Sequence, residues 1–233
     1  MKNKLQVMKF GGTSVGDAAC IRRAAEIVVS AARENSVVVV VSAMSGVTNR
    51  LIAAAQQAVE GELLDVEQLK TSLRDQHLVA ARALVATEER LAKLIDELET
   101  LTWEVGNLYQ GVSLLRELTP RTFATLSSFG ERFSARLMAA TLCEMNLDSI
   151  AIEATEVIIT DEQYLQAEPL MPQVRERVNE RLKPLLTEVT LVVTGFIGAT
   201  VDGTLTTLGR GGSDYSATTL GAALNADEII IAC

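Results

Sequence analysis

The spacing of apolar residues changes several times along this chain, and each change marks an element. Residues 5–10 form a short apolar run that reads as a strand. Over residues 17–33, Ile21, Ala24, Ala25, Val28, Val29 and Ala32 recur every three or four positions, which is the period of an amphipathic helix. Residues 36–43 contain five consecutive valines, a pattern suited to a strand covered on both faces of a parallel sheet. Strand, helix and strand in that order make a βαβ unit with a right-handed crossover. Further strands are expected over 148–153 and 188–196, and helices over 172–182 and 213–225. A last strand is expected to begin at 227–232. Asp202-Gly203, between Thr200-Val201 and Thr204-Leu205, is a hairpin signal.

Between Gly46 and about Leu118 the pattern is almost wholly helical. Leu91, Leu94, Ile95 and Leu98 form one stripe, and Glu89 lies four residues before Lys93, an order that supports an exposed helix. The block is too long for an ordinary crossover. Residues 50–118 are therefore expected to project as a helical insertion, either a solvated hairpin used for packing or dimerisation, or a lid over a substrate. Thr119 and Pro120 suit a helix cap and first helical position. That helix should run to about Glu144 with a break near Ser127-Ser128. A buried parallel strand normally has a following helix to cover it. The stop soon after Ile229-Ile230-Ile231 therefore reads as the front part of a larger protein.

Composition narrows the function. With 233 residues, 48% hydrophobic content and four prolines, the chain suits a globular α/β protein. A net charge of −9 argues against nucleic acid or an acidic membrane as partner, so an anionic ligand must be held by a few placed cations. No apolar stretch approaches the roughly 20 residues that span a bilayer. The start, Met1-Lys2-Asn3-Lys4, does not resemble a signal peptide, and Cys20, Cys143 and Cys233 are widely spaced. A reduced, cytoplasmic protein is expected. His77 is the only histidine and is expected at a helix surface or interface. Serine-hydrolase machinery and a histidine metal site would have to rely on it alone, and no protein-held metal is expected.

Two glycine-rich turns carry the candidate chemistry. Lys9 ends the first strand, and Gly11-Gly12 turn the chain toward the first helix in Lys9-Phe10-Gly11-Gly12-Thr13-Ser14. Gly209-Arg210-Gly211-Gly212-Ser213-Asp214 repeats the arrangement before a later helix. Helix starts offer unpaired N–H groups and a positive dipole end, and glycine lets a phosphate approach the backbone. Phosphoryl transfer needs this kind of charge placement more than covalent chemistry. The first loop matches neither a Walker A nor a GxGxxG pattern. Arg210 offers a planar fork suited to a carboxylate. Asp214 reads either as a helix cap or as a group that positions a lysine or a metal. Glu131, on a helix within an apolar run, reads either as a partner for Arg132 or solvent, or as a partner for a ligand ammonium.

Four segments together resemble the aspartokinases of the amino-acid kinase superfamily. They are Lys9 to Val15, Ser42-Ala43-Met44-Ser45-Gly46-Val47-Thr48-Asn49, Ser128-Phe129-Gly130-Glu131, and Thr207-Leu208-Gly209-Arg210-Gly211-Gly212-Ser213-Asp214-Tyr215, with Gly195-Phe196-Ile197-Gly198 before the hairpin. The resemblance implies a three-layer α/β/α sandwich with a mainly parallel sheet. It implies ATP-dependent phosphorylation of the β-carboxylate of L-aspartate, with Mg2+, as the first step toward lysine, threonine and methionine, in a homo-oligomer. Carried over residue by residue, Lys9 would stabilise the transferring group, with Phe10, Gly11, Gly12 and Ser14 around the phosphates. Ser42, Thr48 and Phe196 would border the aspartate, and Glu131 would hold its ammonium. Arg210 would grip a carboxylate beside Gly211, Gly212 and Ser213, and Asp214 would order Lys9 and the Mg-ATP phosphates. Family members continue beyond the last strand into adenine-binding and regulatory segments, and Ala232-Cys233 stands where they have Trp-Thr. The resemblance also leaves open a binding fragment without turnover, or a kinase acting on another carboxylate.

Overall fold

The computed structural model describes residues 4–60 and 66–232. The opening Met1-Lys2-Asn3, residues 61–65 of the expected helical stretch and Cys233 lie outside them. Five parallel strands form the central sheet in the order β3-β4-β2-β1-β7, comprising β1 (Leu5–Phe10), β2 (Ser36–Val41), β3 (Ser149–Ile152), β4 (Thr190–Thr194) and β7 (Glu228–Ala232). A separate antiparallel pair, β5 (Ile197–Ala199) and β6 (Leu205–Thr207), is joined through the Asp202-Gly203 turn, where Thr200 N–H donates to the Thr204 carbonyl at 2.9 Å.

Side-chain alternation along β2 explains the layers. Val37, Val39 and Val41 enter one hydrophobic cluster, while Val38 and Val40 enter another on the opposite face. The first cluster is closed by α1 (Ala18–Ala32), α2 (Val47–Glu60), α3 (Val66–Leu84), α4 (Glu88–Leu115) and α6 (Phe129–Glu144). The second is closed by α7 (Met171–Arg181), α8 (Gly212–Leu224) and a 3-10 turn at Ala154–Glu156. The result is a three-layer α/β/α sandwich. In β1 the same alternation sends Met8 and Phe10 to the first cluster and Val7 to the second. Lys9 shares the parity of Val7 and so faces the α8 side.

Helix boundaries follow local chemistry. Asp17 caps α1 by accepting from Cys20 N–H at 2.8 Å. Thr119 caps α5 (Pro120–Ser127) by accepting from Thr122 N–H at 3.2 Å, and Ser128 interrupts the helix before α6, as the sequence suggests. β4 is shorter than its apolar run because the chain turns at Gly195 and Phe196. Among the described residues, no helix is long and apolar enough to cross a membrane.

Two expectations are corrected. Among the described residues, the helices between β2 and α5 do not project. α3 and α4 pack back against α1 and α6, and Leu73, Leu98, Leu101 and Tyr109 are fully buried in the same cluster as the sheet residues. Tyr109 donates its hydroxyl proton to the Leu51 carbonyl across α2. For the same reason His77 is a core residue and not a surface one. Its ring is fully buried, stacks on Phe133 at 4.2 Å, and has Nδ1 2.6 Å from the Leu73 carbonyl.

Burial moves the His77 pKa from the ordinary 6.5 down to about 4, because the charged ring would lose its hydration. A depressed pKa contributes stability that is present above 6.5 and is lost as the pH falls toward 4, since the unfolded ring takes up the proton that the buried one refuses. Denaturant unfolding should lose up to about 3 kcal/mol from this ring across that window. His77→Leu should remove that part of the slope. A variant with the wild-type slope would assign the loss to other groups.

Candidate active site

Every loop that leaves the C-terminal end of an inner strand meets at one edge of the sheet, the usual ligand edge of open α/β folds. The strand ladder continues into these loops. Ser42 N–H donates to Phe10 O at 3.1 Å, Gly195 N–H to Val41 O at 2.9 Å, and Gly11 N–H to Ala232 O at 2.9 Å. The Gly11 amide is therefore committed to β7, and Gly11 contributes its turn and not a donor.

Two adjoining hollows share Lys9 and Ser42. The first, about 430 Å³, is bordered by Gly11, Gly12, Ser42, Thr48 and Glu131 together with Thr13, Met44, Gly46 and Asn49. The second, about 300 Å³, is bordered by Phe196, Arg210, Gly211, Gly212, Ser213 and Asp214. Two expected residues lie elsewhere. Phe10 is buried in the first hydrophobic cluster, and Ser14 borders a different hollow with Cys20 and Arg23. Thr13, Met44, Gly46 and Asn49 were not singled out from the sequence, although they fall inside or beside the motifs that were.

Lys9 is buried, and its Nζ lies 2.6 Å from Asp214 Oδ1 at the half-exposed start of α8. This contact decides between the two readings of Asp214. The α8 N-cap is Gly211, no side chain caps the helix, and Asp214 turns to the lysine instead. Gly212 is required here, because a Cβ would approach the Phe196 ring to 2.8 Å. Phe196 itself has φ +70, an uncommon conformation for a non-glycine residue. Hydrogen bonds hold it from both sides, its N–H to Ser216 Oγ at 2.9 Å and its carbonyl to Leu208 N–H at 2.8 Å. Arg210 is exposed, with no ion-pair partner among the described residues.

Glu131 is the most unusual group at this edge. Its carboxyl is buried, one oxygen accepts from Ala43 N–H at 3.2 Å, and Oε2 has no partner among the described residues. Gly130 makes the approach possible, since a Cβ there would come within 2.5 Å of Ala43 Cβ. Arg132 does not compensate the charge. It pairs with Glu104 at 3.0 Å and Glu153 at 2.9 Å, and its guanidinium lies over the Phe129 ring. Burial pushes the Glu131 pKa from 4.5 up to about 8, against the smaller opposing effect of the backbone hydrogen bonds.

Among the described residues no group of three histidines, cysteines or acids could cage a metal. Magnesium carried on phosphates needs only one or two carboxylates besides water. Asp214, open to the second hollow, fits that lighter demand.

Over residues 4–233 the chain matches the amino acid kinase family. It belongs to that family. This amino acid kinase resembles aspartokinase 1, chloroplastic, of Arabidopsis thaliana, at 34% identity over 231 residues, covering 96% of this chain and 39% of that protein. It also resembles lysine-sensitive aspartokinase 3 of Escherichia coli (strain K12), at 33% identity over 229 residues, covering 98% of this chain and 49% of that protein. Its fold superposes on a crystal structure of E. coli aspartokinase III in complex with aspartate and ADP (R-state), with a TM-score of 0.86, 33% identity, and coverage of 98% of this chain and 48% of that one. The chain spans about half the length of such relatives, or less.

The raised pKa of Glu131 has a stability consequence. A carboxyl whose folded pKa is about 8 and whose ordinary value is 4.5 favours folding below 4.5, and that contribution is lost as the pH rises through 8. Glu131→Gln should therefore raise the unfolding free energy of the ligand-free protein by up to about 4 kcal/mol at pH 8, and change it little at pH 4. A variant destabilised at pH 8 would mean that the carboxylate has a partner in solution.

Proposed function

We propose that this chain carries the catalytic site of an aspartate kinase, which transfers the γ-phosphoryl group of Mg-ATP to the β-carboxylate of L-aspartate. The observation that carries the reading is Glu131, a buried carboxyl with one unpartnered oxygen, at the border of a hollow that shares Lys9 with the helix start at Gly211. An α-amino acid supplies the ammonium that Glu131 lacks. Acetylated amino acids and nucleotides would leave that carboxylate buried without a counter-charge. Support also comes from the relatives named aspartokinases and from the structural neighbour in complex with aspartate and ADP.

In this reading the substrate ammonium pairs with Glu131, and Ser42 and Thr48 border the backbone of the amino acid. Phe196 closes the opposite side, and Arg210 takes the α-carboxylate through its fork. The β-carboxylate needs no general base, because its pKa of about 3.9 leaves it ionised at neutral pH. One of its oxygens bonds to the γ-phosphorus as the bond to the β-phosphate oxygen breaks, which gives 4-phospho-L-aspartate and ADP. Bound Mg-ATP supplies the phosphoryl group and part of the charge that shields it. Lys9 places its ammonium against the charge that develops on the equatorial oxygens. Asp214 holds that ammonium in position, and it would be the carboxylate to hold magnesium carried on the phosphates. The amides of Gly12 and Ser213 are available as donors beside the phosphates. We further place the reaction at the head of lysine, threonine and methionine biosynthesis, in the cytoplasm.

Hydroxylamine trapping of the acyl phosphate formed from aspartate and Mg-ATP tests the reaction, on this chain and on any longer protein that contains it. Lys9→Ala should lower kcat by about 10²–10³ with little change in the KM for aspartate. Arg210→Lys keeps the charge but loses the fork, and should weaken aspartate binding by about 1.5–3 kcal/mol. Hydroxamate formed with another amino acid in place of aspartate, or a Lys9→Ala enzyme within tenfold of wild type, would overturn the assignment.

A further inference from the structure

We propose that Gln76 on α3 is a positioning residue for residues 42–49, acting through the Ser45 carbonyl and tying the helical insertion to the floor of the first hollow. The proposal rests on the reading of that loop as the border of the amino-acid substrate. The loop leaves β2 at Ser42 and enters α2 at Val47, and its tip at Ser45 and Gly46 is exposed. Besides the Arg50 N–H on the Gly46 carbonyl at 3.1 Å, two side-chain contacts among the described residues tie that tip to other parts of the fold. Ser45 Oγ donates to the Gly12 carbonyl at 3.3 Å, which joins it to the first glycine turn. Gln76 Nε2 donates to the Ser45 carbonyl at 3.4 Å.

The orientation of the Gln76 amide is fixed by Arg50. Arginine can only donate, and Arg50 Nη2 lies 2.8 Å from Gln76 Oε1 while Nη1 reaches Ser72 Oγ at 2.6 Å. The oxygen end of the amide must therefore face α2, and the NH2 end must face Ser45. A trans peptide points its N–H opposite to its carbonyl. With the Ser45 carbonyl held toward α3, the Gly46 N–H points away from α3. The α3 turn that carries Gln76 is in turn fixed from the core side, because the adjacent His77 stacks on Phe133, two residues after Glu131 on α6. One helical turn of the insertion thus touches both the loop bordering Thr48 and the helix bearing Glu131. Neither Gln76 nor Arg50 borders the hollow.

Gln76→Glu and Gln76→Ala test this. The first keeps an acceptor for Arg50 and removes the donor to Ser45, and the second removes both. Hydrogen exchange of the ligand-free protein should show the amides of residues 44–48 exchanging about 2- to 10-fold faster in both variants, the range of one net hydrogen bond. Amides of α1 should be unchanged. The KM and calorimetric Kd for aspartate should rise over the same range while kcat stays within about twofold, a split that general destabilisation would not produce. Arg50→Ala should reproduce the effect, and Arg50→Ala/Gln76→Ala should be no worse than the worse single variant, as for residues acting through one contact. Unchanged exchange at 44–48 in both Gln76 variants, or additive effects of Arg50 and Gln76, would overturn the proposal. A wild-type protein that binds no aspartate would instead refute the substrate reading, and the exchange measurement would still decide the role of Gln76.

Discussion

A buried carboxyl group with one oxygen on a backbone amide and the other on nothing is the constraint around which this site is organised. Among the described residues Glu131 has no ion-pair partner, since Arg132 pairs with Glu104 and Glu153. An uncompensated buried charge is costly, and the group responds by holding its proton near neutral pH. In the proposed function, a ligand ammonium removes that cost. The fold keeps the constraint in place through Gly130, which lets α6 close on Ala43, and through the loop that carries Ala43 from the end of β2.

The rest of the site follows from the sheet. Neighbouring residues of a strand face opposite sides, so Phe10 enters the core beneath α1 while Lys9 faces α8. There it meets Asp214, whose carboxylate pairs with the lysine while the α8 N-cap, Gly211, makes no side-chain cap. The positive φ of Phe196 lets β4 end abruptly and turn across the mouth of α8, fixed by Ser216 and Leu208. Glu131 and Arg210 thus border adjacent hollows that share Lys9 and Ser42.

Much of this was legible in the sequence. The valine run announces a doubly covered strand, Thr119-Pro120 a capped helix, and Asp202-Gly203 the turn of the small hairpin. The glycine turns placed Lys9, Arg210 and Asp214 at one ligand edge because parallel strands leave no other edge for such loops. What stayed hidden depends on tertiary packing. His77 continues the apolar series of Leu69 and Leu73 on α3, but a titratable residue in that series reads as surface until Phe133 is seen against it. The choice between the two readings of Glu131 turns on where Arg132 points, and residues 104 and 153 are too distant in sequence to suggest it. Gln76 carries no local signal at all, since its partners come from α2 and from the loop after β2. The commitment of the Gly11 amide to Ala232 likewise depends on a strand more than 200 residues away.

Proton release on aspartate binding bears most directly on the role of Glu131. Calorimetric titration at pH 7 in buffers of different ionisation enthalpy counts the protons exchanged. If the substrate ammonium pairs with Glu131, whose pKa near 8 leaves it mostly protonated before binding, close to one proton should be released per aspartate bound, and Glu131→Gln should abolish the release. Aspartate binding of wild-type strength with no proton released would show that the ammonium is held elsewhere.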